Sequence, residues 1–245
     1  MDNTTYISLS RQNALWNQLE VVANNMANVN TIGFKGSDVL FSEYLVKVRS
    51  DDRPFKDKLS FVQDLGLVRD LTEGPMRHTN NPLDMAIEGD GYFVLQGPNG
   101  EIFTRAGNFT LDSQGQIVNQ EGYPLLSSNN QPIEIDDSTQ EIVISGDGSV
   151  ILNGEELEQI RIVGFANERE LKQVTGTLFR SDGIAPTDLE APRVAQGVLE
   201  DSNVNGVSEM TRLIALNRAY QDVNKMVQVE HERKKKSNEV FTRKV

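Results

Sequence analysis

The sequence contains no cysteine at any of its 245 positions. A chain without thiols forms no disulfides, offers no thiolate ligands to a zinc ion and has no cysteine nucleophile. Histidine is also scarce, and the two histidines, His78 and His231, lie far apart in the sequence. The residues that most often serve metal sites and acid–base catalysis are therefore few. We expect no catalytic residue, no metal site and no cofactor.

Long apolar runs are missing as well. No segment approaches the roughly 18 apolar residues that a membrane-spanning helix needs. The first eleven residues lack both the basic start and the apolar stretch of a secretory signal peptide. The sequence therefore predicts a protein that does not span a membrane and is either cytoplasmic or exported without a cleaved signal.

Positive charge is scarce: acidic residues outnumber basic ones, and the formal net charge is -12. The phosphates of a nucleic acid would repel such a chain, so we expect no nucleic-acid partner. The final fifteen residues depart from this pattern, with six basic and two acidic side chains between His231 and Val245. Cations near the C-terminus of a helix are favoured by the helix dipole. We prefer this interpretation of the basic tail to a binding role.

What the sequence does contain is an apolar stripe near each end. The N-terminal stripe has spacings of 4, 3, 4 and 3 from Leu15 to Val29, and the C-terminal stripe has spacings of 3, 4, 3 and 4 from Leu213 to Val227. Both spacings place the apolar residues on one face of a helix. We predict helices over 7–30 and from Ser208 to about Glu232. Asn205 or Ser208 is expected to cap the second helix, and Gly33 is expected in the left-handed conformation after the first.

The middle of the chain has the pattern of short antiparallel strands. Three turn sequences, at 97–100, 112–115 and 146–148, each lie between two short apolar runs. This arrangement is typical of β-hairpins in a sandwich or a partly open barrel. We therefore predict an α+β protein, in which long N- and C-terminal helices form a coiled-coil-like core domain and a central antiparallel β domain is inserted between them.

The same pattern predicts how the chain is divided. A terminal helical assembly domain is expected over 1–35 and 200–245, and the β domain over 81–185. An extended or loop connector is expected over 36–80, and a second connector over 186–199. Within the first connector, the apolar spacing at 38–48 suggests a short additional helix, the charged stretch 50–54 an exposed loop, and residues 61–71 an ambiguous segment that is compatible with extended structure.

Asparagine is concentrated at the end of the first predicted helix, at positions 24, 25, 28 and 30. Asparagine is a mediocre helix former, because its amide competes for backbone groups. Asn24 and Asn28 are four residues apart and share a helix face. One interpretation is that these amides contact neighbouring helices and fix their register. The other is an asparagine-rich helix C-cap.

Six motifs, taken in order, resemble the rod and hook family of bacterial flagellar axial proteins. They are the segments 23–35, 82–93, 103–109, 122–124, 199–205 and 209–220, and the resemblance extends from residue 1 to about 230. Met1-Asp2 followed by Tyr6, the modest length and the segment 197–200 resemble the proximal rod branch. Ala219-Tyr220 also resembles the distal rod branch, which stays the alternative.

The resemblance implies a structural subunit that is exported unfolded through the flagellar secretion channel. It would polymerise in the periplasm into the proximal rod, part of the shaft that transmits torque from motor to hook. Expected partners are further copies, other proximal and distal rod proteins, the export apparatus and, as further candidates, the surrounding basal-body rings. The terminal helices would line the tube, with the β domain outside.

The predicted assembly interface lies on the two helices and the segments next to them. Its residues are Leu15, Leu19, Val22, Asn24, Asn25, Met26, Asn28, Asn30, Gly33, Phe34, Ser202, Asn203, Val204, Asn205, Met210, Leu213, Leu216, Tyr220, Val223 and Val227.

Two functions of a different class are weighed against this one. A wall-remodelling enzyme on a rod-type scaffold would need an additional catalytic segment, for which the chain has no spare length. A glycan-binding β module would need aromatic side chains along an exposed strand face. The aromatics Tyr92, Phe93, Phe103, Phe109 and Tyr123 lie instead in alternating strands, where core packing is expected.

Overall fold

The computed structural model describes residues 3–47, 58–135, 142–189 and 191–242. Two long helices, α1 (Asn3–Ala27) and α2 (Gly206–Thr242), flank a region of short strands. The chain forms two compact units. A helical unit contains the described residues of Met1–Ala27, Ser37–Arg69 and Asn205–Val245, and a β unit contains those of Asn28–Gly36 and Asp70–Val204. The predicted α+β class is confirmed.

The helical unit combines the two helices with a long hairpin. Its strands, β1 (Ser37–Lys47) and β2 (Lys58–Arg69), pair antiparallel from Ser37 opposite Arg69 to Lys47 opposite Lys58. The short helix predicted at 38–48 is therefore wrong up to residue 47, and the extended interpretation of 61–71 is confirmed as far as Arg69. The predicted loop at 50–54 lies outside the described residues. β-branched and aromatic residues favour the extended state, and the spacing of a few apolar residues did not distinguish it from a helix.

The β unit consists of many short strands. Their bounds are β3 (Met76–His78), β4 (Met85–Ile87), β5 (Tyr92–Gly97), β6 (Gly100–Thr104), β7 (Thr110–Leu111), β8 (Ile117–Val118), β9 (Ile142–Ile144), β10 (Ser149–Leu152), β11 (Glu155–Gln159), β12 (Ile162–Gly164), β13 (Lys172–Thr175), β14 (Leu178–Arg180), β15 (Thr187–Asp188), β16 (Val194–Gln196) and β17 (Val198–Glu200). A single-turn 3-10 helix occupies Glu168–Glu170.

One antiparallel sheet of six strands forms the centre of this unit, in the order β13-β14-β6-β5-β12-β15. A three-stranded sheet, β11-β10-β9, and the pairs β16-β4, β17-β3 and β7-β8 surround it. The hairpins predicted at the three turn sequences are confirmed as β5–β6, β7–β8 and β9–β10. The segment 186–199, which was predicted as a connector, contains β16 and most of β17. These two strands pair with β4 and β3.

The central sheet is buried on both faces, as β5 shows. Phe93 and Leu95 belong to one apolar cluster, whereas Tyr92 and Val94 belong to a second. Successive side chains of a strand point to opposite faces, so two clusters are needed to cover one strand. Phe103 and Phe109 are also almost fully buried. The aromatic residues therefore form the core, as their position in alternating strands predicted.

Candidate assembly surface

The two helices that carry the predicted apolar stripes lie against each other within the chain. α1 and α2 run antiparallel, because Gln12 donates to Asn224 (2.7 Å) while Asn25 approaches Glu209 at the other end (3.5 Å). Gln12 also contacts the Tyr220 hydroxyl at 3.3 Å, and the Trp16 and Tyr220 rings lie 5.9 Å apart. We call the part of each predicted stripe that lies on its helix the inner stripe. The inner stripes consist of Leu15, Leu19, Val22 and Met26 on α1 and of Leu213, Leu216, Tyr220, Val223 and Val227 on α2.

The inner stripes are only partly removed from solvent. Val22 and Val223 are buried, whereas the other seven side chains are half-buried. Two packed helices alone rarely bury a full core, and an apolar stripe that stays half-exposed in one chain can be covered further by other chains. Met210, which was predicted in the assembly interface, lies on the exposed side of α2, with 56% of its surface accessible.

Asn25 links the end of α1 to the start of the hairpin. Its amide nitrogen donates to the Ser37 carbonyl (2.9 Å), and its amide oxygen accepts from the Ser37 N–H (3.0 Å). The side chain thus pairs with both backbone groups of one residue, as a neighbouring strand would. Because Asn25 is only 4% exposed, losing either bond would leave a buried polar group without its partner.

An ion pair fastens α2 to the same hairpin. The Arg212 guanidinium donates to Asp38 at 2.6 and 3.2 Å. Partial burial disfavours the charged carboxylate, but the hydrogen bonds from Arg212 and from the Val39 N–H outweigh it and lower the pKa of Asp38 below its usual 3.8. The same partner raises the pKa of Arg212, through its hydrogen bond to Asp38. The helix and the hairpin are therefore joined by charge as well as by packing.

Within the β unit, the segment 28–36 is fixed by backbone contacts that require glycine at position 33. Gly33 has a φ of +67°, and a Cβ there would lie 2.5 Å from the Ala106 nitrogen. Its N–H donates to the Glu200 carbonyl at 2.7 Å. The left-handed conformation predicted for Gly33 is confirmed, and the close approach to backbone excludes any larger residue.

The side chains of this segment are divided between the interior and the surface. Asn28 accepts from the Thr31 hydroxyl (3.1 Å), which is local turn chemistry. Phe34 is buried, whereas Asn30 is exposed, as is Asn24 in α1. The proposed roles of Asn24 and Asn28 in contacts between subunits stay predictions.

Asn203 performs a similar joining role in the β unit. Its amide oxygen accepts from the Gly36 N–H (2.8 Å), and its amide nitrogen donates to the carbonyls of Asp70 (3.0 Å) and Thr72 (3.1 Å). The next residues lead into α2. Val204 donates to the buried Ser202 hydroxyl (3.2 Å), and the Asn205 side chain accepts from the N–H groups of Val207 and Ser208, both at 3.1 Å. The predicted N-cap at Asn205 is confirmed.

A buried group of three charges lies behind these contacts, and the sequence did not single it out. Lys35 meets the Glu200 carboxylate at 2.6 Å, and Arg105 approaches its other oxygen at 3.6 Å. All three side chains are at most 3% exposed. We call Lys35, Glu200 and Arg105 the charge triad. Each residue lies inside a motif that carries the family resemblance, but an isolated charged residue gives no sign in a sequence of where its partner is.

The surroundings of the charge triad balance its excess positive charge. Lys35 also donates to the Thr72 carbonyl (2.7 Å), and the Gly74 N–H donates to Glu200 (2.9 Å). Arg105 donates to the Gly89 carbonyl (2.7 Å) and lies 5.5 Å from the centre of the Tyr92 ring. Carbonyl oxygens and an aromatic face both attract a cation. The triad thus ties segment 28–36, the β6 end and β17 into one polar core.

The residues that the structure describes offer little support for metal binding or catalysis. Among them, no group of three or more metal-ligating side chains comes together. Among the same residues, neither helix combines the length and apolar character needed to cross a bilayer. The β unit has a polar cleft of about 320 Å³ near Asn30, Asn108 and Asn119, without a charged pair that acid–base catalysis would use.

Models of three protein families match successive parts of the chain. Residues 6–35 match the family described as flagella basal body rod protein. Residues 86–152 match the D1 domain of the flagellar hook protein FlgE/F/G family, and residues 195–240 match the C-terminal part of the flagellar basal body rod FlgEFG proteins. The first and last matches cover the helices and their connections, and the middle match lies in the β unit.

Individual relatives match almost the whole length. The flagellar basal-body rod protein FlgF of Caulobacter vibrioides is 37% identical over 93% of this chain and 93% of its own length. FlgF of Rhizobium meliloti is 33% identical over 93% of this chain and 92% of its own. The rod protein FlgG of Caulobacter vibrioides is 35% identical over 85% of this chain and 88% of its own. Of these two relatives from Caulobacter vibrioides, FlgF therefore matches a larger share of this chain than FlgG does.

Proposed function

Because the chain belongs to the family of flagellar basal-body rod proteins, as a member of the FlgF type, we propose that it forms part of the proximal rod. It is a structural subunit of the basal body, and its family assembles rods. The observation that carries the finer assignment is the match to FlgF relatives, which are 31–37% identical over 91–93% of the chain. The alternative is a place in the distal rod.

The subunit would act in the periplasm as a segment of the shaft that transmits torque from motor to hook. It would reach that place through the flagellar export apparatus, without a cleaved signal peptide, and would assemble with further rod proteins and in reach of the basal-body rings. We propose a purely structural role without catalysis. The burial of Phe93, Phe103 and Phe109 supports this role over glycan binding, because stacking on sugars needs exposed rings.

We further propose the division of labour that the sequence suggested. The terminal segments 1–35 and 200–245 would form the assembly domain with a coiled-coil-like seam, and 81–185 would form the outer β domain. The half-buried inner stripes support this proposal, since heptad-type spacing is what a helical seam requires. Within the helical unit Asn25, and within the β unit Asn203 and the charge triad, would hold together the segments that each of them joins.

The location can be tested directly. An epitope inserted at the exposed turn Asn153–Gly154, between β10 and β11, should leave both units intact. Basal bodies purified from cells that depend on this chain should then bind the antibody at the end of the rod away from the hook. Labelling next to the hook would assign the chain to the distal rod. Absence of the chain from basal bodies of motile cells would refute the rod assignment itself.

A further inference from the structure

Two neighbouring clefts on the surface of the β unit share part of their walls. The first is the polar cleft of about 320 Å³ near Asn30, and the second has a volume of about 150 Å³. Glu121 and Leu178 line both clefts, so the two are continuous. We call the two clefts together the groove. All residues that line the groove belong to the β unit, so its geometry is set within one compact unit.

The first cleft is lined by four carboxamide side chains, and we call it the amide subsite. They are Asn30, Asn108, Asn119 and Gln120. Asn119 is 7% exposed, and its amide oxygen accepts from the Tyr123 N–H (2.8 Å). Among the residues that the structure describes, the NH₂ group of Asn119 has no acceptor, and the other three side-chain amides have no hydrogen-bond partner. A nearly buried donor without a partner favours a ligand that can accept its hydrogen bond.

Carboxamides match the polar groups of a polypeptide backbone. Each carries a donor and an acceptor, so one side chain can bind a peptide carbonyl and a peptide N–H at once. Asn25 binds both backbone groups of Ser37 in this way. Asn203 likewise binds the Gly36 N–H and the Asp70 carbonyl. The amide subsite is therefore suited to an extended peptide segment whose backbone groups are unpaired.

The second cleft has apolar walls, and we call it the apolar subsite. Its lining residues include Ile102, Tyr123, Val174 and Leu178. Val174 lies on β13, an edge strand of the central sheet, and is 50% exposed. A concave apolar surface of this size can receive one aliphatic side chain, and its burial there would remove apolar surface of both partners from water.

Charge at the groove restricts the ligand further. Among the described residues that line the amide subsite, Glu121 is the only ionisable one. An acidic ligand would meet this carboxylate without a compensating cation. Arg180 lines the apolar subsite, but its guanidinium already approaches the Asp182 carboxylate at 3.3 Å. The groove therefore favours an uncharged ligand.

We propose that the groove binds an extended, uncharged segment of another polypeptide chain. The backbone of that segment lies at the amide subsite, and one aliphatic side chain enters the apolar subsite. Backbone hydrogen bonds then supply affinity and the side-chain pocket supplies specificity, as in other modes of peptide recognition. Three motifs of the sequence meet at the groove, since Asn30, Asn108 and Tyr123 belong to 23–35, 103–109 and 122–124. The proposal concerns the β unit alone and does not rest on a place in the rod.

The test uses the full-length, isotopically labelled chain in solution and a capped tripeptide with the sequence glycine-leucine-glycine. NMR spectra report the side-chain amides of Asn108 and Asn119 and the backbone amide of Val174. We expect saturable shifts of these signals, which lie at both subsites. A capped triglycine should bind about tenfold more weakly, because it leaves the apolar subsite empty.

Two variants test the two subsites separately. Asn108→Leu should weaken binding of the leucine peptide about tenfold, because it removes one of the amides that bind the peptide backbone. Asn129→Leu is the matched control, since Asn129 is an exposed amide of the β unit outside the groove. Val174→Ser should also weaken binding, whereas Val143→Ser on β9, where the side chain is 40% exposed, should leave it unchanged. Circular dichroism checks that each variant is folded.

Several results would overturn the proposal. One is the absence of saturable shifts at the groove up to the solubility limit of the leucine peptide. Another is equal affinity for triglycine, since the apolar subsite would then select nothing. Tighter binding of N-acetylglucosamine than of either peptide would assign the groove to a glycan instead. Because every measurement uses the isolated chain, none of these results bears on the rod assignment.

Discussion

At the scale of single residues, the charge triad is the most constrained feature of the β unit. Three charged groups are buried there with only one negative charge among them. A buried ion pair is rarely a large net source of stability, because both partners lose their hydration. Removing one partner is nevertheless costly, because the others stay buried without compensation. The main effect of the triad is therefore to fix which three segments come together. Its net contribution to the stability of that contact is the smaller effect.

We expect Glu200→Gln to lower the free energy of unfolding of the β unit by about 3–5 kcal/mol, because two cations would remain around a neutral amide. The measurement is chemical denaturation, followed by the β-sheet signal in circular dichroism. The exposed Glu121→Gln serves as the control, with an expected change within about 0.5 kcal/mol. If Glu200→Gln lowered the free energy of unfolding no more than the control does, the two buried cations would not need the negative charge of Glu200.

The ion pair between Asp38 and Arg212 in the helical unit responds to pH. The folded-state pKa of Asp38 is lowered by its bonds to Arg212. Its contribution is therefore present above the unfolded value and is lost as the pH falls through the lowered folded value. Both side chains are substantially exposed, so the contribution is modest, about 0.2–1 kcal/mol.

We accordingly expect Asp38→Asn to lower the Tm of the helical unit slightly at neutral pH and to converge with the unsubstituted chain in acid, as the pH falls through the lowered pKa of Asp38. Fluorescence of Trp16, the one tryptophan of the chain and a member of α1, reports this unit. Asp222→Asn is the control, since Asp222 is exposed on α2 and its neighbour Lys225 is 4.0 Å away. A difference between Asp38→Asn and the unsubstituted chain that persists unchanged in acid would contradict the ion-pair explanation.

At the scale of elements, the sequence was informative wherever one local pattern dominates. Turn residues between short apolar runs predicted the three hairpins, and the inner stripes predicted both helices. The β1–β2 hairpin was missed because its first strand has apolar residues at positions that fit either a strand or a short helix. Contacts between distant residues, such as Lys35 with Glu200, have no local pattern and could not be predicted.

Asparagine illustrates the same limit in the candidate assembly surface. The cluster at 24–30 was recognised, but the two interpretations could not be separated from the sequence. In the structure Asn25 joins α1 to β1, and Asn203 joins segment 28–36 to residues 70–72. An amide carries both a donor and an acceptor, so it can satisfy a backbone N–H and a carbonyl at once. The residue type was informative, and the partner required the fold.

At the scale of the whole molecule, the two units differ in how completely they are covered. The β unit has two buried apolar clusters around its central sheet. The helices of the other unit bury only Val22 and Val223 among the inner stripes. Local stability follows the burial of apolar contacts, so the helical unit should open at a lower free energy than the β unit.

Hydrogen exchange on the isolated, monomeric chain should reveal this difference. We expect amides before residue 30 and after residue 208 to exchange rapidly, and those of β5, β6 and β12 to exchange slowly. If the helices form the proposed assembly surface, assembly into basal bodies should then slow the exchange in α1 and α2, because neighbouring rod subunits would cover them. Equally slow exchange in both units of a verified monomer would show that the helices need no partner.

The antiparallel contact of α1 with α2 also has a consequence for timing. Gln12 and Tyr220 are 208 positions apart, so α1 finds its partner only after nearly the whole chain is present. Closing a loop of that length costs about 2.5 kcal/mol more than closing one of about 12 residues, and folding slows as contacts become more distant. The β5–β6 hairpin, by contrast, spans a few residues and can form at once. Whichever end of the chain emerges first, the assembly surface is completed last, so an unfinished chain cannot occupy a place in the rod.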